Sequence, residues 1–427
     1  MGEPLLKRES AELRFRAVAS EMTFPVRGGG ILSSKLRTLI LAVVLAWAFW
    51  GPTDANAICS ASSSGRATQG GSAAPGPAMS EASSEVLGHF ASSRIDEASG
   101  LARTPDGGWA IINDSGDKGR IFLSQKDGSN VREVGLKIRP WDTEDLDVAE
   151  CPASIAPGET CVAIADIGDN RRKRQSAVIY FFRWKDLEAA AQVREGKANT
   201  AEPLAPLWSF QFRYPQGARN AEAFRITSAE DAIIVTKQQD RKKQAAEPAE
   251  IYRLRWRDQV APTETTPDTT PGATIGKTTG KTDAEKSASK TDPHAAKPVL
   301  PVAQFMGKID VPSMIRDKGL AGLVTGMAIS PDRSRVLLLT YSAVVETRLV
   351  VTADRVEFQE PKVIRFSPLE QQEAIAYDES GRGFVITTEV VLSFFAQPFR
   401  KRQGAPIVAI RDPYCEVKPS TARPAQP

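Results

Sequence analysis

The sequence predicts an all-β fold, a single β-propeller of about five four-stranded blades. Three observations carry this: a strand–turn–strand pattern that recurs five times, a spacing of 47 or 48 residues between copies where no insertion intervenes, and polar residues at the same end of each copy. The first copy begins at Glu97-Ala98-Ser99-Gly100-Leu101, turns through Pro-Asp-Gly-Gly into Trp109-Ala110-Ile111-Ile112, and ends at Asn113-Asp114-Ser115-Gly116-Asp117. The second runs from Glu144-Asp145-Leu146 through a cysteine loop to Cys161–Ala165 and ends at Asp166-Ile167-Gly168-Asp169-Asn170.

The third copy starts at Glu222-Ala223-Phe224 and ends at Thr236-Lys237-Gln238, and the fourth runs from Thr325-Gly326-Met327 to Thr340-Tyr341-Ser342. The fifth runs from Glu373-Ala374-Ile375 to Thr387-Thr388-Glu389. Each copy is a short strand, a polar turn and an apolar strand, which is a β-hairpin signal. Further strand candidates complete the blades at Ala177–Trp184, Leu207–Tyr214, Ile251–Arg255, Arg348–Thr352 and Val390–Phe395. The count is five blades, or six if Ala303–Val311 joins another, and a β-sandwich is the alternative because alternating strands do not fix topology.

Several segments stand outside the repeat. Lys35 and Arg37 precede an apolar run, Leu39–Trp50, followed by Ala55-Asn56-Ala57. A basic flank, a short apolar stretch and an A-x-A site describe a secretory signal peptide, here residues 1–57 with a long leader, or a shorter one if Met22 is the start. The run is shorter than the roughly 20 apolar residues of a membrane span, so no stable span is expected after cleavage. Residues 58–84 are rich in Ser, Ala, Gly and Pro and read as a disordered tether. The propeller is assigned to 85–414, interrupted by a low-complexity insertion at 260–298 and followed by a flexible tail, 415–427.

The export signal implies a periplasmic or secreted protein, where disulfides persist. Cys151 and Cys161 close a short loop, and their bridge stabilises by roughly 3 kcal/mol in the chain-entropy model. Cys59 and Cys415 stand near the two ends of the mature chain. Residues 1–57 hold seven Lys or Arg and five Asp or Glu, so the mature chain carries 3 − 2 = +1 and offers no bulk attraction for nucleic acid. With His89 and His294 the sole histidines, a histidine triad or His-rich zinc site is hard to build. No Gly-x-Ser-x-Gly, phosphate-binding glycine loop or Cys-x-x-Cys occurs.

In a propeller the innermost strands line a central channel, so matching positions of the copies converge. Glu97, Glu144, Glu222 and Glu373 occupy matching places in the alignment of copies, and Asp114, Asp117, Asp166, Asp169, Lys237 and Glu389 follow the second strands. Glu97, Asp114, Asp117, Glu222, Lys237, Glu373 and Glu389 are therefore ligand-binding candidates, and Glu97, Glu144, Asp145, Asp166, Asp169 and Glu222 are metal candidates, with Ca²⁺ the cofactor such oxygen ligands suit. Turn chemistry alone also explains Asp, Asn and Gly at strand ends. The run Arg171-Arg172-Lys173-Arg174 reads as a solvated loop.

The segments Asn113–Asp117, Glu144–Leu146, Asp166–Asn170 and Ala221–Ala223, in this order, resemble a group of exported bacterial propeller-like proteins of unassigned function. The resemblance spans Glu97 to Glu389, and Asp-Ile-Gly-Asp-Asn is its most specific part. Members usually carry Asp-Trp-Glu-Asp where this chain has Asp142-Thr143-Glu144-Asp145, so the aromatic is missing unless Trp141 replaces it. The group implies the fold and no activity, and a likeness to calcium-dependent phytase-like or lactonase propellers is analogy of fold. The expected function is a binding or scaffold module holding a ligand or protein over its polar face. The alternative is a Ca²⁺-dependent hydrolase of a phosphate ester or lactone.

Overall fold

The computed structural model describes residues 76–192, 202–258, 299–389 and 404–415. The signal peptide, most of the tether, the insertion, the strand read at Val390–Phe395 and nearly all of the tail lie outside these residues. Two strands come first, β1 (Ala78–Glu81) and β2 (Ser84–His89), where the sequence reading places the end of the tether. Blade one is β3 (Ala98–Arg103), β4 (Trp109–Asn113), β5 (Arg120–Ser124) and β6 (Arg132–Gly135). Blade two is β7 (Thr143–Glu150), β8 (Thr160–Asp166), β9 (Ala177–Arg183) and β10 (Trp208–Phe212), with helix α1 (Trp184–Gln192) between the last two.

Blade three is β11 (Ala221–Ser228), β12 (Asp231–Thr236), β15 (Ala249–Arg255) and β16 (Gln304–Ile309), with a small hairpin, β13 (Gln239–Asp240) and β14 (Ala245–Ala246), inserted after β12. The segment that suggested a sixth blade is thus the outer strand of blade three. Blade four is β17 (Val324–Ile329), β18 (Arg335–Thr340), β19 (Val344–Val351) and β20 (Val356–Arg365), and β1 extends its edge in parallel. Blade five is β21 (Gln372–Tyr377), β22 (Gly383–Thr388), β23 (Pro406–Arg411) and, from the other end of the chain, β2. This strand from near the N-terminus therefore completes the last blade and covers the edge of β23.

Each wedge between neighbouring blades holds one apolar cluster. In β12, Ile233 and Val235 pack toward blade four while Ala232 and Ile234 pack toward blade two. In β18, Val336 and Leu338 face blade three and Leu337 and Leu339 face blade five. The strand period of two thus serves two cores at once, which is why the second strands read as unbroken apolar runs instead of alternating ones. At about 1.5–3 kcal/mol for each large side chain buried, these five wedges hold the ring together.

Cys151 and Cys161 are bridged, their Cα atoms 4.8 Å apart, inside the wedge between blades two and three. Cys415 is also in a disulfide, while Cys59 lies outside the described residues. Among the described residues no helix is long and apolar enough to cross a membrane.

Candidate functional site

Every innermost strand carries a register shift at the same place: between Ala98 and Gly100, Thr143 and Asp145, Ala221 and Ala223, Val324 and Gly326, and Gln372 and Ala374. A bulge inserts one extra residue and re-aims it. The five bulge residues are Ser99, Glu144, Glu222, Thr325 and Glu373, all buried. The sequence alignment set Glu97 level with the three glutamates, but the structure puts Ser99 there. Glu97 instead lies two residues before the bulge, in an isolated bridge with Glu389.

A second tier follows the second strands, whose last paired residues are Asn113, Asp166, Thr236, Thr340 and Thr388. The next residues in order are Asp114, Ile167, Lys237, Tyr341 and Glu389. Lys237 joins the two tiers. Its Nζ lies 2.5 Å from Glu222 Oε2 and 3.7 Å from Glu373 Oε1, and it donates a 2.9 Å hydrogen bond to the Tyr341 hydroxyl. Tyr341 in turn donates to Glu373 Oε1. The small bulge residues fasten blades together: Ser99 Oγ donates to the Glu144 carbonyl at 2.7 Å and Thr325 Oγ1 to the Gln372 carbonyl at 2.9 Å.

Among the described residues, two groups of three carboxylates have oxygens within 4.8 Å of one another: Asp114 with Glu373 and Glu389, and Asp114 with Asp142 and Glu144. Burial raises Asp114 to about 7 against the pull of the Ser115 N–H, with Glu373 and Asp142 pushing the same way as burial. Burial takes Glu222 to about 8 despite Lys237, and takes Glu389 to about 8 with help from Glu373 and Asp114. Glu144 is raised well above the carboxylate range by burial and then by Glu222, Asp114 and Asp142. Burial alone would lower Lys237, but Glu222 and Glu373 outweigh it and keep the amine charged. The mouth of the channel thus gathers more buried carboxylates than cations.

The remaining sequence candidates have structural employment. Asp145 directs its carboxylate away from this tier, to Arg225 at 2.6 Å and to the N–H groups of Phe224 and Leu146. Burial still holds it at about 7, against the pull of that arginine. Asp166 accepts from the backbone of Trp141 and Asp142 and from Arg174 Nη1 at 2.6 Å, and Asp169 accepts from the Arg174 N–H at 2.7 Å. Asp117 is paired with Arg120 at 2.6 Å. Asp145 and Asp166 thus accept at both carboxylate oxygens and Asp169 at Oδ2, and none of the three belongs to either group of three. Arg174, read as part of a solvated run, has a side chain only 11% exposed.

Sequence reasoning missed Asp142, Tyr341 and Arg225. Asp142 stood in the quoted Asp-Thr-Glu-Asp run, and Arg225 stood as a lone charge inside an apolar strand. Arg225 spans the channel: it donates to the carbonyls of Leu101 at 3.2 Å, Leu146 at 2.9 Å and Ile375 at 3.0 Å, which belong to blades one, two and five. Innermost strands have no further strand to pair with, and a guanidinium with five donors satisfies several of their edges at once. At the far ends of these strands lies a cavity of about 480 Å³ whose lining includes Arg103, Asp147, Arg225 and Arg333, a mixture of charges.

No family model matches the chain, and no curated protein matches it. Among solved structures, a luciferin-regenerating enzyme is similar over 77% of this chain and 95% of its own, at 8% identity and a TM-score of 0.36. A Trichoderma reesei carbohydrate-active enzyme of family AA12 is similar over 81% of this chain and 100% of its own, at 10% identity and a TM-score of 0.36. Kuenenia stuttgartiensis hydrazine synthase is similar over 74% of this chain and 63% of its own, at 11% identity and a TM-score of 0.31. Likeness at this level carries no inference about activity.

Proposed function

We propose that this protein is an exported binding module whose channel mouth takes a cationic ligand. One observation carries the reading: Asp114, Asp142, Glu144, Glu222, Glu373 and Glu389 converge there, with Lys237 and Arg174 as the cations set against them. Carboxylates held above their ordinary pKa by burial and by one another gain most from an added positive charge. Trp141, 72% exposed and next to Asp142, already has the Arg174 guanidinium 5.9 Å from its ring centroid. The Cys151–Cys161 bridge supports an oxidising compartment.

A second reading, a metal-dependent hydrolase, is favoured by Asp114 and Glu222, whose values near neutrality suit general acid–base work. Calorimetric titration of the dialysed protein with CaCl₂ and with spermidine tests the first reading. Saturable binding of either one, tighter at pH 8 than at pH 5 because protons compete, is the expected result. No heat from either at pH 8 contradicts it. Ca²⁺-dependent release of nitrophenol from a nitrophenyl phosphate, or ring opening of a simple lactone, decides for the hydrolase.

A further inference from the structure

The carboxylates at the mouth form two groups, and an independent feature distinguishes them. Glu144 is 2% exposed, and its Oε1 has no hydrogen-bond partner. A buried carboxylate oxygen left bare costs several kcal/mol unless something outside the chain meets it.

That oxygen faces Gly168. A Cβ at position 168 would lie 2.1 Å from Glu144 Oε1 and 2.6 Å from Asp142 Oδ2, so no other residue fits between them. Gly168 is not among the glycines with positive φ, so its role is space and not backbone freedom. Its N–H donates to the Asp142 carbonyl at 3.0 Å, which fixes the loop against the carboxylates. The glycine of Asp-Ile-Gly-Asp-Asn thus leaves the room that two neighbouring carboxylates occupy.

Resting on the cation-binding reading above, we infer that Asp114, Asp142 and Glu144 hold one hard divalent cation of the size of Ca²⁺, with Gly168 as the wall of the site. The spacing suits the ion. Ca²⁺–oxygen distances of about 2.3–2.6 Å place ligands on opposite sides of the ion about 4.6–5.2 Å apart, and the oxygens here lie within 4.8 Å of one another. Oxygen ligands with net negative charge and no histidine select a hard ion over a soft one. Asp166 and Arg174 act as positioning residues: Asp166 accepts the Asp142 N–H at 2.9 Å, and Arg174 Nη1 accompanies Asp166 and donates to the Gly168 carbonyl at 2.9 Å. Ca²⁺ completes its shell with water.

Equilibrium dialysis of the full chain against radioactive Ca²⁺, with circular-dichroism melts to verify folding, tests this. The expected result is one ion per chain, bound more weakly in Glu144→Gln and Asp142→Asn by more than the roughly 10- to 100-fold that losing an outer partner costs. Gly168→Ala is expected to weaken it as well, and serves if a carboxylate variant does not fold. Glu389→Gln, in the other group, weakens binding less than Glu144→Gln does. Binding lost in Glu389→Gln but kept in Glu144→Gln overturns this inference and leaves the cation-binding mouth standing. No Ca²⁺ bound by the unaltered protein overturns the inference, and if spermidine also fails to bind, the reading beneath it falls too.

Discussion

Arg225 Nη1 lies 2.6 Å from Asp145 Oδ2, and the two side chains, 4% and 2% exposed, close the propeller channel beneath the acidic mouth. The pair does what a hydrophobic plug cannot, because the edges around it are carbonyl and N–H groups of inner strands. Replacing Arg225 with Met leaves Asp145 uncompensated and three carbonyls from other blades without their donor. The expected cost is about 3–5 kcal/mol, read as a lower urea midpoint. Arg225→Lys is expected to recover little, since a single ammonium does not reach across the channel as a planar fork does. A midpoint unchanged in Arg225→Met contradicts this account of the channel.

The Cys151–Cys161 bridge closes a loop of ten residues' separation with both sulfurs buried among apolar neighbours. Cys151→Ser with Cys161→Ser is expected to lower stability by about 2–4 kcal/mol, measured by thermal or urea unfolding. Addition of reductant to the native protein should act slowly, because the bridge is inaccessible until the wedge opens.

Closure by β2 gives a truncation test. Removing residues 1–89 strips β23 of its partner and exposes a sheet edge on blade five. The expected outcome is association on size-exclusion chromatography and a broadened melt, where removal of residues 1–57, which spares Cys59, leaves both unchanged.

Much of this architecture was legible in sequence. The five apolar second strands announced the blades because each serves two wedges, and the Cys loop announced its own bridge. The closing strand was not legible, because Ser84–His89 lies on an outer edge with largely exposed residues and shows no apolar pattern. The site register of the first copy was hidden because it carries a serine where three other copies carry glutamate, so Glu97 aligns with Glu144 by letter while Ser99, two residues on, holds the place in space. The donors to Asp145, Asp166 and Asp169 come from residues that only the fold brings near them.

The pH dependence follows from the same carboxyls. Asp114 at about 7, with Glu222 and Glu389 at about 8, bind their protons more tightly folded than unfolded. Such groups contribute stability that is complete below the unfolded value of about 4 and lost as pH rises through about 7–8. Metal-free protein is therefore expected to melt at a lower temperature at pH 8 than at pH 5, as scanning calorimetry would record. Asp114→Asn should flatten that slope.

The most direct measurement is the melting temperature of dialysed protein at pH 8 in EDTA and in excess CaCl₂. If the mouth takes a cation, Ca²⁺ at a hundredfold excess over the dissociation constant stabilises the protein by about 2.7 kcal/mol at pH 8, read as a higher melting temperature. The gain shrinks at pH 5, where protons already neutralise the carboxyls. Melts that coincide in EDTA and Ca²⁺ at pH 8 contradict a divalent cation at these carboxylates.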